Sequence, residues 1–365
     1  MNTNHLSQVL HQAADRSRVT QAMHHAEWVV YGAGSAGRTW ASALRQHGHA
    51  VHAYIDRNAN GRTLDGLPVY TMTDCPSNLR QCCALLLALH NPGTNVADVR
   101  RDVQAAGFSR IWLLQDLIDA FPERAHFWLA PASEALPQGD AIHHAYSLLA
   151  DDTSRELMAT LLDQRLNGHA DALPKPDPLH QYMPPDLPPP PQPLRYIDCG
   201  AYTGDTILSF RRLGYRFAQI AAFEPDPAHY PPLANVLAPE QAAIFPCGAW
   251  HERDQLHFAT NDAASHISMN GNITIQVVAL DEALPNFAPN FIKMDIEGAE
   301  ASALLGAQAM IQHHRPRLAI SAYHRPRDLW ELLLQIHAWG LGYSFHLRSH
   351  ACNGFDTVLY ALPES

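Results

Sequence analysis

Apolar residues come in short blocks along this chain, separated by stretches with helical spacing, and that alternation predicts an α/β protein. In the first half, blocks at 28–31, 50–55, 67–70, 82–89 and 110–114 read as strands, with helices over 38–46 and 95–106. A helical segment over 5–26 comes before them. Residues 116–173 read as mainly helical, with Asp152 and Thr153 starting one helix. Proline then dominates at 174–178 and 188–193, where neither a helix nor a central strand can continue, so a stiff connection and a domain boundary are expected, with Gln181-Tyr182-Met183-Pro184 between the runs a candidate to pack over a cleft. The second half has strand blocks at 195–198, 219–224, 242–245, 291–295, 317–322, 343–347 and 357–361, with an inserted hairpin over 251–280. Its last two blocks follow one another without a helix, which suits the antiparallel edge of an otherwise parallel sheet. The predicted organisation is a helical segment (1–26), a Rossmann-like domain (27–115), a helical and proline-rich connector (116–193) and a second doubly wound Rossmann-like domain (194–365).

The two halves differ in their turn chemistry. Gly32-Ala33-Gly34-Ser35-Ala36-Gly37 follows a strand and carries no acid, while Asp56 ends the next strand. Gly32, Gly34, Ser35, Gly37 and Asp56 are therefore the expected contacts of a nucleotide with free ribose hydroxyls. NAD and a nucleotide-sugar both fit, as does a scaffold that only presents a substrate. The second turn runs Asp198-Cys199-Gly200-Ala201-Tyr202-Thr203-Gly204-Asp205 and places a carboxylate where phosphate would otherwise sit. It predicts a cationic cofactor without phosphate, S-adenosyl-L-methionine, whose sulfonium and ammonium groups favour nearby negative charge. Glu224, in Glu224-Pro225-Asp226 at the end of the next strand, is placed for the ribose hydroxyls.

Composition narrows the partners. A net charge of −11 counts against a nucleic-acid backbone or an anionic membrane surface. The first residues lack a basic segment followed by an apolar core, and the apolar block 82–89 is too short to span a bilayer, so no membrane insertion is expected. Six cysteines without Cys-x-x-Cys or zinc spacing predict reduced thiols in a cytoplasmic protein. The 23 histidines are scattered, and their adjacent pairs predict surface positions rather than metal ligation. Oligomeric state is left open.

With Asp295-Ile296-Glu297-Gly298-Ala299-Glu300 after an apolar strand, residues 195–363 resemble the FkbM family of S-adenosylmethionine-dependent methyltransferases. The resemblance also rests on the 198–205 turn, Phe223-Glu224-Pro225, Val278-Ala279-Leu280-Asp281, Tyr323-His324 and the 357–360 strand. The acid-rich segment is its specific part, since the glycine turn alone suits any class I methyltransferase. Residues 27–115 resemble the nucleotide-sugar-binding Rossmann half of sugar acyltransferases, a domain pairing that occurs among FkbM proteins. Tyr182 among its prolines resembles the connector of such two-domain members, with Met183 where they often carry a second aromatic. The resemblance implies a class I methyltransferase sheet of seven strands, and O-methylation of a small-molecule or glycan acceptor such as a sugar, glycolipid or polyketide-type product.

Methyl transfer from a sulfonium is an in-line displacement, so the protein must align the reactants and exclude water. The implied sheet sets the strand ending at Asp295 beside the one ending at Asp198, which brings Asp295 near the methyl. His324 is the expected base, because an ordinary imidazole titrates near neutrality, with Asp295 and Glu297 completing the catalytic set. The competing reading makes His324 a surface residue of the 323–326 loop. Lys293 lies on the same strand face as Asp295 and also reads as half of a buried ion pair. Glu297 and Glu300 also suit a helix N-terminus. Asp295, Glu297 and Glu300 offer hard oxygens to Mg²⁺, but with no ligand from elsewhere in the chain no metal is expected. Two other readings stand beside this one. An NAD-dependent sugar-modifying oxidoreductase lacks a Tyr-x-x-x-Lys dyad in the first domain, and a nucleotide-sugar-binding protein with an inactive methyltransferase fold sits poorly with intact Asp198, Gly200, Gly204, Glu224 and Asp295.

Overall fold

The computed structural model describes residues 3–14, 23, 26–59, 61–259, 266–267 and 273–364. The chain divides into two compact units, one made of Met1–His143, Glu156–Pro176 and Ala351–Phe355, the other of His144–Arg155, Asp177–His350 and Asp356–Ser365. Of the helix expected over 5–26, Thr3–Ala14 is helical, while 15–22 and 24–25 lie outside the described residues.

The first unit is built on six strands: β1 (Trp28–Tyr31), β2 (Val51–Ile55), β3 (Thr63–Leu64), β4 (Leu67–Tyr70), β5 (Ala84–Leu87) and β6 (Ile111–Leu113), in the order β3-β4-β2-β1-β5-β6. All neighbours are parallel except β3 and β4, a hairpin closed by Asp65 and Gly66 at φ 53° and 79°. β1 and β5 are interior strands, and Val29, Val30, Leu85 and Leu86 are fully buried, as continuous apolar runs covered on both faces should be. The block 82–89 is shorter as a strand than expected. Cys82 ends a helix, Ser77–Cys82, and the Cys83 N–H closes it onto the Leu79 carbonyl before β5 begins. An apolar run does not by itself distinguish a helix end from a strand start. Helix Val96–Ala105 starts where expected because the Asn95 side chain accepts from the amides of Ala97 and Asp98.

The second unit carries a seven-stranded sheet of β7 (Leu194–Cys199), β8 (Phe217–Phe223), β9 (Ala242–Phe245), β14 (Phe291–Met294), β15 (Arg317–Ser321), β16 (Tyr343–Ser349) and β17 (Thr357–Pro363), in the order β16-β17-β15-β14-β7-β8-β9. The five strands from β15 to β9 are parallel. β17 is antiparallel to both β15 and β16, which makes the expected antiparallel edge. The insertion forms a separate four-stranded sheet of β10 (Gly248–Ala249), β11 (Asp254–Ala259), β12 (His266–Ile267) and β13 (Ile273–Val278), with β11 and β13 antiparallel. Tyr182, Met183 and Leu187, from the proline-rich stretch, are buried in the same core as Tyr196, Phe210 and Phe291. The proline runs thus flank a segment that anchors itself by apolar burial. Helix Asp152–Asn167 starts at the expected residue.

Candidate active site

In an open parallel sheet, ligands bind outside the carboxyl ends of the strands where the strand order reverses. In the second unit that point is β7, flanked by β8 and β14. The turn after β7 is left-handed at Gly200, Tyr202 and Gly204 (φ 80°, 47° and 86°) and leads into helix Asp205–Arg212. Gly200 has no room for a side chain, since a Cβ there would lie 2.0 Å from the Asp295 carbonyl oxygen. The two strand ends are thereby packed against each other.

A cavity of about 290 Å³ opens over this point. Gly200, Tyr202, Asp205, Glu224, Pro225, Asp295 and Glu297 line it, together with Tyr182, His229 and Lys293. Of the other expected contacts, Asp198, Ala201 and Asp226 are buried behind the wall, and Gly204 is not part of the lining.

Asp198 is fully buried, and Lys293 Nζ lies 3.0 Å from its Oδ1. The two residues are direct cross-strand partners of β7 and β14. The ion pair that sequence suggested for Lys293 therefore exists, but it bridges to Asp198. Lys293 Nζ also donates to the Gly200 carbonyl at 2.6 Å, so it holds the turn as well as the carboxylate. Burial pushes the Asp198 carboxyl up to about 6 against the pull of Lys293. Burial disfavours charge on Lys293 too, but Asp198 and Asp295 outweigh it and raise its pKa above the ordinary lysine value.

Glu224 fastens the second strand end to the turn. Its Oε2 accepts from the Tyr202 amide and its Oε1 from the Asp226 amide, both at 2.8 Å, and His229 Nδ1 lies 3.2 Å from Oε1. A carboxylate has about four lone-pair sites, so acceptor capacity remains for further donors.

The third group gathers around His324, which follows β15. Its Nδ1 is 2.8 Å from Glu300 Oε1, and its Nε2 is 3.4 Å from Asp295 Oδ1 and 3.7 Å from Glu297 Oε2. Glu300 also receives the Ile296 amide at 2.8 Å, and Tyr182 donates to Asp295 Oδ2 at 2.8 Å. His324 is therefore no surface loop residue; its side chain is 1% exposed. Burial disfavours the charged ring, yet Glu300, Asp295 and Glu297 raise its pKa to about 10. An imidazole expected to take up a proton near neutrality is instead held protonated. Burial likewise resists ionisation of Asp295, but Lys293 and His324 bring its carboxyl below the usual range. Burial dominates at Glu297 and raises it to about 7. Single donor atoms of Asp295, Glu300 and His324 lie within 4.8 Å of one another, so the acid-rich segment has a sequence-distant neighbour of metal-ligating chemistry.

Tyr182, His229 and Lys293 add polar groups to the wall; the sequence offered the 181–184 segment as a cover for a cleft but assigned none of the three to this site. His229 lies five residues after Glu224, close enough to have been considered. Nothing local marks Tyr182 as a partner of Asp295.

The first unit repeats the arrangement in simpler form. Asp56 Oδ2 accepts from the Ala33 amide at 2.9 Å, as Glu224 does from Tyr202. Gly32 and Asp56 line a cavity of about 340 Å³ with Tyr31, Arg57, Asn58 and Leu89. Gly34 and Gly37 do not line it, and Ser35 opens instead onto a polar groove along helix Ser35–Gln46 with Arg38 and Arg45. Gly37 serves packing, because a Cβ there would lie 1.8 Å from the Gly32 carbonyl oxygen.

A seven-stranded doubly wound sheet with a reversed edge, a glycine turn at its switch point and acids on the flanking strand ends defines a Rossmann-like fold of the methyltransferase type. Residues 198–347 match the family model of the methyltransferase FkbM domain. The whole chain is similar to the crystal structure of methyltransferase FkbM from Methylobacillus flagellatus KT, with 23% identity, 99% of each chain covered and a TM-score of 0.78. At that identity the likeness establishes the fold. Fibrillarin from Aeropyrum pernix, solved with natively bound S-adenosyl-L-methionine, aligns at 11% identity and a TM-score of 0.32 over 47% of this chain and 66% of its own. Precorrin-6y C5,15-methyltransferase from Geobacter metallireducens GS-15 aligns at 10% and 0.30 over 51% and 85%. Likenesses that weak carry no argument about this chain. No curated protein matches it. Among the described residues, no helix is long and apolar enough to cross a membrane.

Proposed function

We propose that this protein is an S-adenosyl-L-methionine-dependent O-methyltransferase acting on a hydroxyl of a sugar-containing or natural-product acceptor. The observation that carries the reading is the composition of the cavity wall. Among the described residues, Asp205, Glu224, Asp295 and Glu297 line it, no arginine does, and its one lysine is already paired with Asp198. Such a wall suits a cation and disfavours phosphate. S-adenosyl-L-methionine supplies, when bound, an electrophilic methyl group on a sulfonium. Glu224 keeps acceptor capacity for a ribose diol, and Gly200, Tyr202 and Asp205 shape the turn beneath it. Asp198 acts from below the wall, through its charge and its hold on Lys293. Asp295 and Glu297 face the acceptor side. Glu297, with its pKa near 7, is the group suited to take up the hydroxyl proton. His324 is a positioning residue, whose positive charge holds Asp295 and Glu297 together.

The first unit is proposed to hold a nucleotide or nucleotide-sugar at Gly32 and Asp56, which would deliver or resemble the acceptor. A cytoplasmic setting accords with six free cysteines. A thermal-shift panel of S-adenosylhomocysteine, NAD, UDP-sugars and dTDP-sugars tests the reading. S-adenosylhomocysteine is expected to stabilise the protein, and Glu224→Ala to remove that effect. Stabilisation by NAD without any by S-adenosylhomocysteine would favour an oxidoreductase and overturn the proposal.

A further inference from the structure

The foot of the seven-stranded sheet, at the end opposite the candidate active site, holds a second and chemically different cavity. It measures about 320 Å³, lies where β7 and β15 begin, and is lined by Arg195, His314, Arg315 and Arg317 against a wall of prolines 188–191. Among the described residues, no carboxylate belongs to that lining. Three arginines and a histidine thus converge in a chain whose net charge is −11.

Arg317 is the centre of the site. The residue is 4% exposed. Its guanidinium lies 5.8 Å from the ring centroids of both Phe291 and Tyr360. One edge is satisfied, since Nη1 donates to the Pro188 carbonyl. The other edge, Nε and Nη2, has no hydrogen-bond partner among the described residues. Both atoms are occluded, so the guanidinium acts on the cavity through its charge. Burial lowers the arginine's pKa from its ordinary value, but a guanidinium stays charged in a protein. A buried cation without a counter-charge is costly, and so is a buried donor without an acceptor. Arg195 and Arg315 are already anchored, Arg195 through Nε to the Ala288 carbonyl and Arg315 through Nη2 to the Leu341 carbonyl. Both are therefore held in place beside Arg317.

We propose that this cavity binds a phosphate group, drawn by the uncompensated charge of Arg317 in its wall and held by Arg195, His314 and Arg315. The apolar proline wall leaves room for the body of a phosphate ester beside the charged floor. The site is separate from the cofactor cavity and does not depend on the reading given to it.

The test is thermal shift and calorimetry of the full chain with inorganic phosphate, against sodium chloride at equal ionic strength. Saturable stabilisation by phosphate is expected. Arg317→Gln is expected to abolish it while leaving the response to S-adenosylhomocysteine intact. Arg195→Gln and His314→Asn change exposed positions and test the same site if Arg317→Gln fails to fold. Each is expected to weaken phosphate binding, Arg195→Gln by roughly tenfold. A wild-type protein that responds to phosphate no more than to chloride overturns the proposal. So do Arg195→Gln and His314→Asn variants that bind phosphate as the wild type does, which would mark an adventitious ion only.

Discussion

Asp198 and Lys293 face each other across two central strands, with side chains 0% and 3% exposed. For such a pair the cost of losing one member exceeds the net value of the pair, because the survivor is left charged in a dry interior. Lys293→Met is expected to destabilise the protein by about 3–5 kcal/mol. The double variant Lys293→Met with Asp198→Asn should lose less, and urea unfolding of the three proteins measures the difference. Equal losses in the single and double variants would mean the charges are not coupled. Glu297 gives a second prediction at this scale. Its carboxyl is raised to about 7, so folding favours the protonated form. That contribution is complete below the ordinary glutamate pKa of about 4.3 and is lost as pH rises through about 7. Asp328, raised to about 7, and Asp356, raised to about 6, act in the same direction over nearly the same window. His324 adds to the fall above its ordinary value of about 6.5, and its contribution is gone once pH passes about 10. The melting temperature should therefore fall between pH 5 and 8, and Glu297→Gln should reduce that fall by about 2–4 °C. A melting curve whose pH dependence is the same in Glu297→Gln and wild type would remove Glu297 from the buried acid group.

Each unit carries a glycine turn between strand and helix, yet individual glycines within the turns do different jobs. Gly34 has φ −83° and open space where a Cβ would go, so Gly34→Ala should change stability by less than about 0.5 kcal/mol. Gly37→Ala would drive a methyl into the Gly32 carbonyl and should cost about 1–3 kcal/mol or more. Gly200→Ala adds a strained positive φ to a clash with Asp295. It should weaken S-adenosylhomocysteine binding by roughly tenfold or more, about 1.4 kcal/mol by calorimetry. Intact affinity in Gly200→Ala would show that the turn does not shape the cofactor site. These turns were readable in the sequence because strand, turn and helix are consecutive, and so were the strand blocks that carry Asp198, Glu224 and Asp295 to one rim. The contacts between elements were less accessible. Lys293 meets Asp198 because of the register between β7 and β14, and His324 meets Glu300 from the far side of two helices and a strand. Tyr182 reaches Asp295 across 113 residues from the segment between the proline runs, which in sequence offered itself as a cover for a cleft but named no partner. The pKa of His324 depends on all three carboxylates around it, so an isolated histidine in a Tyr-His-Arg-Pro loop looked like a neutral base.

The chain passes between the two units more than once. Residues 351–355 belong to the first unit although β16 and β17 on either side belong to the second. Asn353 fixes that excursion, accepting from the Val96 amide at 3.0 Å and donating to the carbonyls of Asn91 and Thr94 at 3.0 and 2.7 Å. In the opposite direction, residues before 194 build the second unit. Asp151 pairs with Arg348 at 3.0 Å and lies 2.6 Å from His346, the Leu347 amide donates to Ser154, and the Ala150 amide donates to the Phe345 carbonyl. Tyr182, Met183 and Leu187 fill its core. Burying each such side chain contributes about 1.5–3 kcal/mol, against about 5–15 kcal/mol for the net stability of a whole domain. A fragment cut at the proline run, residues 194–365, should therefore fail to fold, although it contains the whole stretch that matches the methyltransferase domain. A fragment of residues 144–365 restores Asp151, Ser154, Tyr182 and Met183. It should recover a cooperative melt and a shift with S-adenosylhomocysteine. A 194–365 fragment that melts like the full chain and binds S-adenosylhomocysteine as tightly would show that the connector adds nothing to the second unit, and would leave Asp295 fully functional without its tyrosine partner.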